Sequence, residues 1–193
     1  MRGFVLFLIL LAGTSAVVEA ANVTKVGDKD IYVDIGKSKG VQIGTNLNVY
    51  RTEEIESEFG KMRFTTQVFV GRILAYKVAD AETVARVQLM TSSVGEDAPK
   101  AILKGDFVRP ALVVPADDLF ARDGSDLLST GIPALKRVAH FISRFKALKV
   151  RVEVYTDSDA QDATKLTRAQ AKVIREWLEN DAGFKGDSLI PVG

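Results

Sequence analysis

The sequence predicts an α+β protein in two parts, a small antiparallel β-barrel or sandwich followed by a domain in which helices and strands alternate. Three observations predict it. From Asn22 to about Pro110 apolar residues recur at every second position and glycines punctuate the runs. From Ser129 onward the apolar spacing becomes helical, and the change of pattern falls between Pro110 and Pro115. The limits that follow are 21–110 for the barrel and 111–193 for the second domain, behind a leader at 1–20.

The leader comes first in the chain. Arg2 gives a positive start, Phe4 to Ala12 is an unbroken apolar run of nine residues, and Val18-Glu19-Ala20 supplies the small residues at which a signal peptidase cuts. That run is about half of what a membrane-spanning helix needs, so the segment reads as a cleaved signal peptide. Cleavage would place the protein in the periplasm without a lipid anchor, since the chain holds no cysteine to carry one.

In the barrel half the alternating sets are Ile31, Val33 and Ile35, then Leu47 and Val49, then Ala85, Val87 and Leu89. Gly36, Gly40, Gly44, Gly71 and Gly105 mark turns. Thr52 to Thr66 is polar and charged, which reads as a long hairpin loop or ribbon tip. In the second half a helix carries Leu135, Val138, Ile142 and Phe145, with Ser129 or Thr130 as its cap and Pro133 in its first turn. A strand follows with Val150, Val152 and Val154 on its core face. A second helix from about Thr167 to Asn180 turns Ala171, Ile174 and Leu178 inward, and Leu189 to Val192 forms an edge strand because of Pro191.

Composition excludes several function classes. The 26 Lys+Arg balance 25 Asp+Glu, and removing the leader leaves the net charge at +1, so no nucleic-acid partner is expected. Absence of cysteine removes disulfides, thiolate metal sites and cysteine nucleophiles together. The single histidine, His140, lies on the first helix with no nucleophile-elbow pattern anywhere. Neither a catalytic residue, a metal site nor a cofactor is therefore assigned, and the protein is read as a non-enzyme. Gly36-Lys37-Ser38 lacks the earlier glycine of a phosphate-binding loop, because Ile31 stands there. Asp157, Asp159 and Asp162 open like a calcium loop, but Arg168 occupies the place of the closing glutamate. Asp117 and Asp118 are adjacent on what reads as extended chain, so their carboxylates point apart and share no proton.

Taken in order, Leu119-Phe120, Gly124-Ser125, Leu128, Gly131, Leu135, Ala139, Tyr155-Thr156-Asp157 and Leu166-Thr167 opening a helix resemble the OmpA-like peptidoglycan-association domain. The resemblance implies a wall-binding fold in which the Asp after the Thr binds the ammonium of diaminopimelate, and an Arg at the helix start binds its carboxylate. Asp157 matches the first role. Gln170 stands at the Arg position, Val154 and Tyr155 replace the family's Gly and His, and Ala163 replaces its Asn. The family pattern runs on into a further helix and strand, so the expected domain lacks its last elements.

The implied peptidoglycan site is thus Thr156, Asp157, Thr167 and Gln170, with Arg168 nearby. A guanidinium offers a charged, bidentate fork where an amide offers a neutral pair of hydrogens. Losing such a contact costs about 1.5 to 3 kcal/mol, or roughly ten- to a hundredfold in affinity. Arg168 near the same helix start offers a partial rescue, since backbone amides there attract carboxylates, but two residues along a helix is about 200° of rotation and turns it from the face of Gln170. Thr167 and Gln170 also fit a capping box, in which hydroxyl and amide satisfy a helix's first amides.

In the first half, Gly40-Val41-Gln42-Ile43-Gly44, Leu47-Asn48-Val49-Tyr50, Gly71-Arg72-Ile73 and Lys104-Gly105-Asp106-Phe107-Val108 are similar to the small barrel ending flagellar assembly protein T. That likeness implies a scaffold role. Together the readings give a cell-envelope protein that associates weakly with peptidoglycan or docks other envelope proteins. The alternative is a self-associating or structural subunit of a flagellar, pilus or secretion assembly.

Overall fold

The computed structural model describes residues 5–11, 21–56, 63–90, 100–121, 124–145, 149–155 and 161–192. Its strands are β1 (Val5–Leu11), β2 (Ala21–Val26), β3 (Ile31–Val33), β4 (Asn46–Glu56), β5 (Arg63–Val78), β6 (Thr83–Met90), β7 (Phe107–Pro115), β8 (Lys149–Tyr155) and β9 (Leu189–Val192). The two helices are α1 (Ile132–Ser143) and α2 (Gln161–Asn180). The chain divides into two compact units, Glu19–Pro110 and a second made of Met1–Val18 with Ala111–Gly193.

The first unit is a six-stranded antiparallel barrel in the order β2-β3-β6-β5-β4-β7, closed by pairing of Ala21 with Val108 and Asn22 with Phe107. Closure joins the two ends of the barrel's strand order. Alternation works as predicted at Ile31, Val33, Leu47 and Val49, which are at most 3% exposed and share one core with Val23 and Ile73. It fails in β6, where Ala85 is buried but Val87 and Leu89 are 47% and 44% exposed. The register explains this. Val87 stands opposite Ile73, yet it lines an open groove of about 540 Å³ beside Val26, Ile31 and Ile102. A shift between Arg72 and Ile73 then puts Leu89 opposite Arg72, off Val87's face. Gly71 permits the approach there, since a Cβ would fall 2.4 Å from the Leu89 carbonyl oxygen.

The polar stretch at Thr52 to Thr66 is not loop over its described length. Arg51 to Glu56 pair with Val68 to Arg63 as a two-stranded ribbon, and 57–62 lie outside the described residues. Gly36-Lys37-Ser38 enters a 3-10 turn whose Lys37 and Ser38 amides already donate to the Ala79 and Asp80 carbonyls. Those amides are not presented to a phosphate.

In the second unit β1 lies between β7 and β8, antiparallel to both, and β8 pairs in parallel with β9. β7, β8 and β9 therefore run the same way, with α1 in the connection from β7 to β8 and α2 in that from β8 to β9. Apolar spacing fixes both helices. Leu135, Val138 and Ile142 of α1 and Ala171, Ile174 and Leu178 of α2 are at most 4% exposed, as are Val150, Val152 and Val154 of β8. Gly131 tops α1 where a Cβ would come within 2.9 Å of Leu119 Cα, so that turn packs backbone against backbone.

Four local expectations are corrected. Neither Ser129 nor Thr130 caps α1; both lie in a 3-10 turn, and Gly131 precedes the helix with no side-chain cap. Helix α2 starts at Gln161, six residues before Thr167. Asp117 and Asp118 sit in a 3-10 turn rather than extended chain, because the chain bends directly after Pro115. Ile35 falls beyond the end of β3, which stops at Val33.

Candidate functional site

In units built from parallel strands, ligand sites form beyond the carboxyl ends of the strands, where the following helix begins and its free amides point outward. Here that place is the end of β8, the connection 156–160 and the first turns of α2. Thr156 and Asp157 fall in the connection and lie outside the described residues. The candidate residues that are described belong to α2 and are well separated in environment.

Thr167 is 3% exposed and its hydroxyl donates to the Thr164 carbonyl at 3.1 Å. Gln170 is 2% exposed, and its Nε2 donates to the Gly124 carbonyl at 2.7 Å. The amide orientation is set by that carbonyl, since the flipped amide would oppose two oxygens. Gln170 Oε1 is left buried with no hydrogen-bond partner among the described residues. Arg168 is exposed, as the helical rotation from Gln170 requires.

The capping-box reading of Thr167 and Gln170 is overturned. Both residues lie mid-helix, where the backbone amides are already paired along the helix. Their burial has another origin, since Ala163, Thr167, Gln170, Ile174 and Leu178 recur at spacings of three and four and so form one inward stripe. Polar side chains occupy two positions of a core-facing row. Gln170 ties α2 to a loop 46 residues earlier in the chain.

Sequence reasoning missed a second feature beside this one. On β8 the residues opposite in face to the valines are Arg151, Glu153 and Tyr155. Glu153 is only 3% exposed, with Oε1 2.7 Å from Arg151 Nε and Oε2 accepting from the Tyr155 hydroxyl at 2.6 Å. Both carboxylate oxygens are engaged, so Glu153 is a holding group for Tyr155 and not a free base. The signal was in the sequence as a cation, a carboxylate and a phenol at alternate positions of one strand.

No group of three or more His, Cys, Asp or Glu among the described residues is placed to hold a metal ion. No helix among them is long and apolar enough to cross a membrane. His140 is on the exposed side of α1. No curated protein matches the chain. Residues 119–193, which carry α1, β8, α2 and β9, match the model of the OmpA family.

Proposed function

We propose that the protein is a non-enzymatic component of the cell envelope, exported to the periplasm by the leader at 1–20, whose second unit associates weakly with peptidoglycan. The match of residues 119–193 to the OmpA family carries this reading. Asp157 supplies the carboxylate for an ammonium in the wall peptide. At the position of α2 that matches the family's arginine stands Gln170, which offers no cation, and its one hydrogen bond found among the described residues runs to Gly124. An amide already used inside the fold adds little to the capture of a carboxylate.

Sedimentation of the exported protein with isolated peptidoglycan tests the reading. Binding by the parent chain is expected to be weak and to disappear in Asp157→Ala. Gln170→Arg is expected to tighten it roughly ten- to a hundredfold, because a charged, bidentate donor replaces a neutral one. Failure of the parent chain to sediment at any wall concentration, with Gln170→Arg no better, would overturn it. A second reading, a structural subunit of an envelope assembly, is supported by the exposed pair Ile55 and Phe64 on the barrel's ribbon. A closed ring or a complex of fixed stoichiometry in light scattering would favour it.

A further inference from the structure

We infer that Gln170 makes the second unit selective for a carboxamide over a carboxylate, so that its ligand is a wall peptide in which the carboxyl beside the free ammonium is amidated. The inference rests on the wall-binding reading above and names the form of the peptide that the site takes.

The observation that carries it is the direction in which the Gln170 amide is locked. Nε2 donates to the Gly124 carbonyl at 2.7 Å, and Oε1 is buried with no hydrogen-bond partner among the described residues. Turning the amide over would set Oε1 against the Gly124 carbonyl oxygen, lone pair to lone pair. That carbonyl is itself fixed. The loop that carries it is closed by the Phe120–Leu127 bridge and by the Leu128 amide, which donates to the Leu119 carbonyl at 2.8 Å, while the Gly124 amide donates to the Ala121 carbonyl at 3.1 Å. One turn earlier on the same inward row, the Thr167 hydroxyl donates to the Thr164 carbonyl at 3.1 Å. Both buried polar side chains of the row therefore have lone pairs to offer to a ligand and no strong donor.

A carboxylate brought to this row meets oxygen with oxygen, and it leaves water with no cation to compensate its charge, since Arg168 is exposed on another side of the helix. A carboxamide carries no charge and donates the N–H that Oε1 lacks. An ammonium is a donor too, but under the wall-binding reading Asp157 takes it, which leaves the carboxyl-derived group for α2. The reach is short: Gln170 is 2% exposed, yet Gly124 and Ser125 are only half-buried, so the amide lies just beneath the loop surface. A buried acceptor without a donor is destabilising, and a ligand that supplies the donor removes that loss on binding. Weak binding of walls with free carboxyls follows from the same shortage of hydrogens.

The test titrates the exported protein, by calorimetry, with a soluble wall peptide ending in diaminopimelate, made once with that carboxyl free and once as the carboxamide. The amide form is expected to bind about tenfold more tightly or better, because a hydrogen bond is made where the acid meets a second oxygen. Gln170→Met keeps the volume and removes the acceptor, and it is expected to weaken the amide form about tenfold while leaving the acid form unchanged. A purely structural Gln170 would weaken both forms alike. Gln170→Arg is expected to reverse the order, since its fork suits the carboxylate. Equal affinity of the parent chain for the two forms, tighter binding of the acid form, equal losses in Gln170→Met, or an amide preference that persists in Gln170→Arg overturns the inference and leaves wall association standing. Binding of neither form by the parent chain or by Gln170→Arg overturns the wall-binding reading, and the inference with it.

Discussion

The two units solve the problem of sheet edges differently. The barrel closes through β2, which pairs with both β3 and β7, and its strands follow one another along Glu19–Pro110, with β7 continuing to Pro115. The second unit takes an interior strand from Val5–Leu11 and leaves β9 at the end of its strand order. One architecture is complete in a single run of sequence, and the other depends on a strand about a hundred residues away from its neighbours. The pairing that completes the second unit is therefore long-range in sequence, whereas the barrel is made from strands that follow one another along the chain.

The largest effects test whether the units are energetically separate. Leu47 of the barrel and Leu178 of α2 are both fully buried, and Leu→Ala at either site is expected to cost about 2 to 5 kcal/mol. Trp177, the one tryptophan, reports on the second unit alone. In urea titrations Leu178→Ala should move the tryptophan transition to lower denaturant, while Leu47→Ala should leave it in place and move only the far-ultraviolet signal of the strands. A tryptophan transition that moves equally in both variants would show one cooperative block and remove the contrast.

Next in size come two buried polar anchors, one from each unit. In the barrel Asp106, 3% exposed, accepts from Arg51 Nε and Nη2, both at 2.8 Å, and from the Leu103 amide at 2.8 Å. Arg51 also donates to the Ala101 carbonyl, and the hydrogen bond to Asp106 holds its guanidinium above the ordinary arginine value despite partial burial. Asp106→Ala strands a cation and an amide at once and is expected to cost about 3 kcal/mol in the barrel transition. Among the described residues Gln170 makes one neutral bond and its oxygen finds no partner, so Gln170→Leu should cost about 1 kcal/mol or less in the tryptophan transition. The anchor with every group satisfied is a clamp for the fold. The unsatisfied one is a cheaper place to change chemistry, which is why Gln170→Arg is the informative substitution for wall binding.

Legibility followed the range of the interaction. The stripes of α1 and α2 could be read because Leu135, Val138 and Ile142, and Ala171, Ile174 and Leu178, repeat within a dozen residues. The start of α2 could not, because its inward row continues toward the N-terminus through Gln170 and Thr167, which carry no hydrophobic signal although both are buried. The same two residues imitated a capping box for the same reason. In β6 the alternation of Ala85, Val87 and Leu89 was real, but Val87 lines an open groove and a register shift against β5, with Gln88 as the extra residue, moves Leu89 off the same face. Nothing local in Val5–Leu11 distinguishes a leader from a strand, since its partners lie at Ala111 to Pro115 and Lys149 to Tyr155. The peptidoglycan candidates come from a motif resemblance alone, whereas the Arg151, Glu153 and Tyr155 row needed coordinates to show that Glu153 is buried.

The smallest effect is expected at the ribbon that projects from the barrel strands. Ile55 and Phe64 are paired across it and are 51% and 50% exposed, so together they contribute the modest energy of a cross-strand contact and little burial. Phe64→Ser should therefore shift the barrel's urea midpoint by less than about 1 kcal/mol in equivalent stability. A larger loss would mean that the ribbon is covered in solution, because an exposed pair has no further apolar surface to lose. Concentration dependence of that loss would then identify the cover as another copy of the chain, since only an association equilibrium makes stability follow protein concentration.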